Sequence, residues 1–220
     1  MAVSTVARLV KTLELSGFLE HVPGSVRYRL GMPLYYLGKV VENRMDVGRL
    51  AQPILNQLAQ STGESADLYI RHGDHRICIA QAHGVHTVRH IIPLGERLPL
   101  WAGSAGVVLL AYTDKEEAWR ILASVQSLTP HTVLDQKAWA KRLEGVRRSG
   151  YAATTQEREL GAASVSAPVF RGDGQVAAVI GISGPAPRFN SSTLPGHIAA
   201  VRDAASRLSF LMGHQSNEPQ

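Results

Sequence analysis

The sequence predicts an α+β fold in two parts, and three observations support that prediction. The chain has 220 residues, 45 % hydrophobic and 19 % charged, which suits a folded protein with room for one large or two modest domains. One amphipathic helix pattern and one hairpin pattern occupy residues 1–31. Strand and helix patterns alternate beyond residue 46, which predicts a mixed or antiparallel sheet flanked by helices.

The N-terminal pattern begins with a helix between Ser4, the expected N-cap, and Gly17, expected just past its end. Its apolar residues recur at helical spacing and are Val6, Leu9, Val10 and Leu13. Its other face carries hydrogen-bond donors and cations, namely Ser4, Thr5, Arg8, Lys11 and Thr12. We predict that this second face contacts phosphates and base edges of double-stranded DNA in a major groove.

A hairpin pattern follows this helix. Residues 18–22 and 26–30 alternate around Pro23 and Gly24, and Arg27 and Arg29 share one face of the second strand. A helix followed by a basic hairpin is typical of the second half of a winged helix-turn-helix, so both arginines are predicted DNA contacts. The periodicity alone also fits any amphipathic helix that precedes a hairpin, so an ordinary surface is the alternative.

Charge and composition restrict the class of protein. The formal net charge is +5, and residues 1–50 hold seven Lys and Arg against four Asp and Glu, a modest excess that favours a nucleic-acid partner. No apolar run approaches the ~20 residues of a membrane span, and no secretory signal opens the chain. With Cys78 as the only cysteine, we expect a cytoplasmic protein without a membrane partner.

The middle of the chain is predicted to be helical. A linker helix is expected over residues 32–45 and another helix over residues 46–62, which Gly63 ends. Pro53 should bend the second helix or start a new one, because proline removes an amide hydrogen and clashes one turn back. A large domain is expected over residues 46–214, starting with this second helix, and residues 215–220 are expected to form a disordered tail.

Within the large domain, three strands at residues 66–71, 77–82 and 87–92 are expected to form an antiparallel meander. Three helices are expected next. The first covers residues 104–112, and the second starts after Asp114, where Glu117 completes a capping box. The third lies between Asp135 and Gly150. Three more strands are predicted at residues 151–155, 163–170 and 176–183, before a last helix over residues 194–212. The third of these strands is apolar on both faces, so we expect it in the middle of the sheet.

An enzyme is the competing interpretation, because the chain contains nine histidines and one cysteine. Five of the histidines lie within nineteen residues, namely His72, His75, His83, His86 and His90. They show no helical H-x-x-x-H spacing, and His86 and His90 share a face if residues 87–92 form a strand, so exposed histidines are favoured over metal ligands. Cys78 lies between isoleucines in a strand, where a buried inert thiol is usual. Ser104 lacks the G-x-S-x-G spacing of a nucleophile elbow. We therefore predict no catalytic activity, no metal and no cofactor.

Several separated segments resemble the isocitrate lyase regulator (IclR) family of bacterial transcription factors. They are STVARLVKTLELSGFLE, RYRLG, GERLPLWAGSAGVVLLAY, RRSGYA, SAPVF and GISGPAPRF, in that order between Ser4 and about Gly213. The resemblance implies a winged helix-turn-helix joined to a GAF-like effector domain. It also implies two helices before Ser4, which this sequence lacks, so we expect a partial winged domain with an incompletely covered apolar stripe.

The resemblance further implies a small-molecule pocket in the C-terminal domain. One wall would comprise Trp101, Ala102, Gly103, Ser104 and Ala105, and the facing strands would contribute Ala162, Ser164, Ile180 and Ser183. Helix-terminal amides near Gly103 suit a carboxylate, so an organic acid is expected. Some members carry an acidic residue and a cysteine in place of Thr154 and Ser164. Trp101, where histidine is common, favours an aromatic or larger acid.

The predicted function is a DNA-binding transcriptional regulator whose operator binding responds to this effector. A homodimer or tetramer is expected, and its two-fold symmetry predicts a palindromic operator. The alternative is a ligand-binding module without autonomous DNA binding, which acts through oligomerisation.

Overall fold

The computed structural model describes residues 2–37 and 47–215, which belong to two compact units, Met1–Asp46 and Val47–Gln220. Residues 32–37 are helical, as predicted for the start of the linker helix. The rest of the predicted linker and nearly all of the predicted tail lie outside the described residues.

The first unit contains helix α1 (Val3–Leu15) and a hairpin of strands β1 (Leu19–His21) and β2 (Tyr28–Leu30). The prediction of Ser4 as N-cap is wrong, because the helix begins two residues earlier than that cap implies and Ala2 holds the cap position without a side-chain hydrogen bond. The helix ends as predicted. Gly17 has φ +74°, and the Phe18 amide donates to the Leu13 carbonyl at 2.8 Å.

The apolar stripe of α1 is exposed, as expected. The side chains of Val6, Leu9 and Leu13 retain 43 %, 50 % and 40 % of their accessible surface. Of these three, Val6 borders a shallow groove along the helix, together with Val3, Val10 and Tyr28.

The second unit is built on a six-stranded sheet in which every strand pairing is antiparallel. Its strands are β3 (Ser65–His72), β4 (His75–Ala82), β5 (Arg97–Pro99), β6 (Ala152–Thr155), β7 (Ala162–Phe170) and β8 (Val176–Pro185), in the order β5-β4-β3-β8-β7-β6. The central position of β8 is confirmed. Alternate side chains of β8 enter separate hydrophobic cores on the two faces of the sheet.

Helices cover both faces of this sheet. On one face lie α2 (Val47–Thr62) and α6 (Leu194–Leu211), and on the other lie α3 (Ser104–Ala111), α4 (Lys115–Leu122) and α5 (Gln136–Ser149). Pro53 lies inside α2, so the prediction that it starts a new helix is wrong. No helix in the described parts of the chain is long and apolar enough to cross a membrane.

The strand predicted over residues 87–92 is wrong, because residues 85–94 form a loop. The carbonyls of Val88 and Ile92 accept hydrogen bonds from the side chains of Arg188 and Gln81. The third strand of the meander is instead β5, which pairs with the start of β4. Hydrogen bonds from these side chains to the backbone carbonyls therefore hold this segment as a loop.

Helix ends in the second unit follow the predicted caps with one exception. Asp114 accepts from the amides of Glu116 and Glu117, and Asp135 accepts from the amide of Ala138 at 2.6 Å. The predicted capping box is incomplete because the Glu117 carboxylate pairs with Arg71.

Candidate functional site

A small cavity of about 40 Å³ lies between the start of α3 and the facing strands β7 and β8. Gly103 precedes α3 with φ +77°, and the first helical hydrogen bond runs from the Val107 amide to the Gly103 carbonyl at 3.2 Å. The amides before Val107 therefore have no acceptor within the helix. Such a helix start carries a partial positive charge and can bind an anion.

Hydroxyl groups line the cavity beside this helix start. Ser104 Oγ donates to Ser164 Oγ at 2.8 Å and lies 2.7 Å from Ser166 Oγ. Thr154 Oγ1 is 2.9 Å from Ser164 Oγ. A hydroxyl both donates and accepts, so this cluster can reorient to match either kind of ligand atom.

A second polar chain crosses the cavity from β3 to the loop before β5. Ser183 Oγ donates to Asp67 Oδ2 at 3.0 Å, and His90 Nδ1 lies 3.0 Å from the same hydroxyl. Because the only Ser183 proton goes to Asp67, His90 donates from Nδ1, and its Nε2 accepts from Arg158 Nη2 at 2.9 Å. Burial raises the pKa of Asp67, while hydrogen bonds from Gln81 and Ser183 lower it.

Arg76 brings a buried cation to the same cavity. Arg76 is 3 % exposed, and its guanidinium carbon lies 5.4 Å from the centre of the Tyr69 ring. Nη1 donates to the Pro99 carbonyl, whereas Nε has no partner among the described residues. Burial lowers the pKa of Arg76 to about 10, so the guanidinium is still charged at neutral pH.

The structure brings together six of the nine predicted effector residues: Gly103, Ser104, Ala105, Ala162, Ser164 and Ser183. Trp101 and Ala102 are instead buried in the hydrophobic core. Ile180 was also wrong, because it packs in the core on the opposite face of the sheet. Successive strand residues point to opposite faces, so Gly181 and Ser183 border the cavity while Ile180 does not.

Sequence reasoning missed the polar residues that line the other side of the cavity, Asp67, Tyr69, Arg76, His90, Arg158 and Ser166. One signal was present: Asp67 interrupts an otherwise apolar strand pattern, whereas Arg76 lies just before the predicted strand over residues 77–82. His90 was assigned to an exposed strand, and the error in that strand concealed its place in the cavity.

Ser183, His90 and Asp67 do not form a catalytic triad. A catalytic triad needs a serine that donates to the histidine, but Ser183 donates to Asp67 instead. The buried Cys78 is equally unsuited, because burial raises the pKa of its thiol to about 12 and keeps it protonated.

The polar face predicted to bind DNA is formed by the first unit. Ser4, Arg8, Lys11 and Thr12 are exposed on α1, and Thr5 is half-buried. Arg27 and Arg29 are exposed on the hairpin. Lys11 pairs with Glu14 at 3.0 Å and Arg29 with Glu20 at 2.7 Å. Exposed ion pairs of this kind are weak, so both cations can exchange their partners for phosphates.

The helix and basic hairpin of the first unit and the small polar cavity of the second fit a transcriptional regulator. The family described as bacterial transcriptional regulator IclR, C-terminal, matches residues 39–210. The chain therefore belongs to the IclR family.

Relatives and solved structures agree with this family. The chain is 31 % identical to the HTH-type transcriptional regulator KipR of Bacillus subtilis, over 97 % of this chain and 86 % of KipR. It is also 31 % identical to the HTH-type transcriptional repressor AllR of Escherichia coli, over 97 % of this chain and 79 % of AllR. Pseudomonas aeruginosa HmgR superposes with a TM-score of 0.83 and 27 % identity, covering 99 % of this chain and 87 % of HmgR.

Proposed function

We propose that this regulator binds a small organic acid in the cavity beside α3 and that the acid changes its affinity for operator DNA. The observation that carries the proposal is the helix start itself, which faces a cavity bordered by hydroxyls. Arg76 and Arg158 also border the cavity, as do the carboxyl residues Asp67, Glu157 and Glu159. Helix amides and hydroxyls suit a carboxylate. In the cytoplasm, such a site would report the concentration of a metabolite.

The cavity supports a small acid over an aromatic one. Its volume of about 40 Å³ is room for about three water molecules, at ~10–15 Å³ each by the same measure. Trp101, the residue that favoured an aromatic ligand, lies in the core instead. We therefore propose an aliphatic acid of two or three carbons.

For DNA, the proposal assigns the exposed cations of the first unit to phosphates and base edges. Arg8 on α1 and Arg27 on the hairpin would contact a palindromic operator in a homodimer or tetramer. Effector binding can change operator affinity only if the acid binds one arrangement of the oligomer better than another, with a coupling of typically ~1–3 kcal/mol.

Thermal unfolding of the full chain against aliphatic and aromatic carboxylic acids tests the effector site. A ligand at a hundred times its dissociation constant adds about 2.7 kcal/mol, or roughly 5–10 °C in a domain of this size. Ala105→Leu, which fills the cavity, should abolish the shift, whereas Ala138→Leu on α5 should preserve it. No shift with any acid would contradict the proposed site.

Operator binding is tested on DNA selected from a random pool by this protein. We expect Arg8→Ala and Arg27→Ala each to weaken binding and to lower the slope against salt by about one phosphate contact. Lys137→Ala, which removes an exposed cation on α5, should leave the operator affinity and its slope against salt unchanged. If no sequence is enriched, the ligand-binding module that acts through oligomerisation becomes the better proposal.

A further inference from the structure

We propose that Arg76 is the residue that makes this site selective for an acid over its neutral amide. The inference deepens the proposed function and rests on its effector site, but it concerns binding at the cavity and not the response of DNA. It predicts that the ligand's anionic group contacts both the Arg76 guanidinium and the start of α3, which border the same cavity.

The position of the guanidinium is defined by two glycines at the start of α3. A Cβ built on Gly103 would lie 3.2 Å from Arg76 Nη2, and one built on Gly106 would lie 2.8 Å from Nη1. The absence of side chains at both glycines thus admits the guanidinium to the first turn of the helix. Two positive features, a full cation and the helix start, consequently lie side by side.

This arrangement is costly without an anion. Arg76 is 3 % exposed, so water compensates little of its charge. The helix start repels a cation, because favourable partners at that end are negative. Nε, the nitrogen without a partner in the described chain, leaves hydrogen-bonding capacity unused. An anion in the cavity that contacts both features would stabilise both.

The carboxylates of the protein do not supply that anion. Among the described residues, none forms an ion pair with Arg76. Glu157 pairs with Arg142 at 2.8 Å, and Glu159 pairs with Arg158 at 3.2 Å. Asp67 attracts Arg76 across the cavity, but its own carboxylate oxygens accept from Gln81 and Ser183.

A carboxylate fits the geometry better than a neutral group. A guanidinium presents paired N–H donors that match the two oxygens of a carboxylate, and charge-assisted hydrogen bonds are about twice as strong as neutral ones. The neighbouring Ser104, Ser164 and Thr154 hydroxyls would bind a polar substituent on the same small molecule. An amide of equal size would present an NH₂ group to donors and lose this match.

The test compares glycolate with glycolamide, and acetate with acetamide, by isothermal titration of the full chain. We expect the wild type to bind the better acid at least about 10-fold more tightly than its amide. Arg76→Met should lower acid affinity by about 10- to 100-fold and leave the amide within threefold. Arg76→Lys, which keeps the charge, should retain the preference for the acid at reduced affinity.

Arg71→Met is the matched control, because Arg71 lies directly opposite Arg76 on β3 but pairs with Glu117 and does not border the cavity. It should keep acid affinity within twofold. Equal binding of acid and amide by the wild type would overturn the proposal without use of any variant. So would undiminished acid binding by a folded Arg76→Met protein, or failure of both acids to bind.

Operator binding measured in parallel separates this inference from the proposed function. If the acids bind through Arg76 but DNA affinity does not change, the proposed regulation fails and the inference holds. If effectors release DNA with no preference for acids, the inference fails and the regulation holds.

Discussion

Replacement of Arg188 by methionine should strongly destabilise the second unit. Glu64 follows α2 and is 1 % exposed, and its two carboxylate oxygens accept from Arg188 Nε and Nη2 at 2.5 and 2.7 Å. This pairing raises the pKa of Arg188. Removal of the arginine leaves the Glu64 charge buried without a counter-charge.

The expected loss follows from that burial. Removing one partner of a buried ion pair costs about 3–5 kcal/mol, and the 29 % exposure of the Arg188 side chain places this pair near the lower bound. A loss of about 3 kcal/mol corresponds to roughly 6–12 °C in the melting temperature of a unit of this size. Glu64→Met should cost less, because the partly exposed arginine can reach water.

Urea unfolding measures the free energy of unfolding of the wild type, both single variants and the double variant. The double variant should be more stable than Arg188→Met alone, because it no longer buries an unpaired charge. The reasoning is refuted if Arg188→Met costs no more than Glu64→Met. Arg188 also donates to the Val88 carbonyl at 3.0 Å, so acid affinity should fall in Arg188→Met as the loop that carries His90 loosens.

Three further expectations concern stability. Burial lowers the pKa of His197, so the unfolded chain binds more protons below about pH 6.5 and stability falls as the pH drops through that range. His197→Gln should flatten this dependence between pH 7.5 and 5.5, measured by urea midpoints, and an unchanged slope would contradict it. Gly106→Ala should destabilise by about 1–3 kcal/mol, since its Cβ would lie 2.2 Å from the Leu100 carbonyl oxygen. In Gly145→Ala on α5, the new Cβ meets no atom within 4 Å, so this variant should be more stable by about 0.5–1 kcal/mol. Shifts of the melting temperature in the same direction for both glycine variants would refute these two predictions. Asp114→Ala should cost about 1 kcal/mol in the same assay, and no loss would contradict its role as the α4 cap.

Local patterns in the sequence were sufficient for most elements of the fold. Helix caps at Asp114 and Asp135 and the turn glycine Gly150 predicted helix ends correctly, because capping depends on residues adjacent in the chain. The residues of β8 are apolar on both faces of the strand, and this local pattern correctly predicted that β8 lies in the middle of the sheet. Residues 87–92 show where such patterns fail, since long-range hydrogen bonds from Gln81 and Arg188 decide their conformation.

The sequence by itself determined the family, because this follows from contiguous motifs. Of one predicted wall it placed Gly103, Ser104 and Ala105 beside the cavity, but not Trp101 and Ala102. Only the tertiary structure brought Arg76 to the start of α3 and His90 to Ser183, residues 93 positions apart in the chain. It also placed Ile180 on the far side of the sheet. Strand register and loop path decide which side chains share a cavity, and both are set by contacts between distant segments rather than by local sequence.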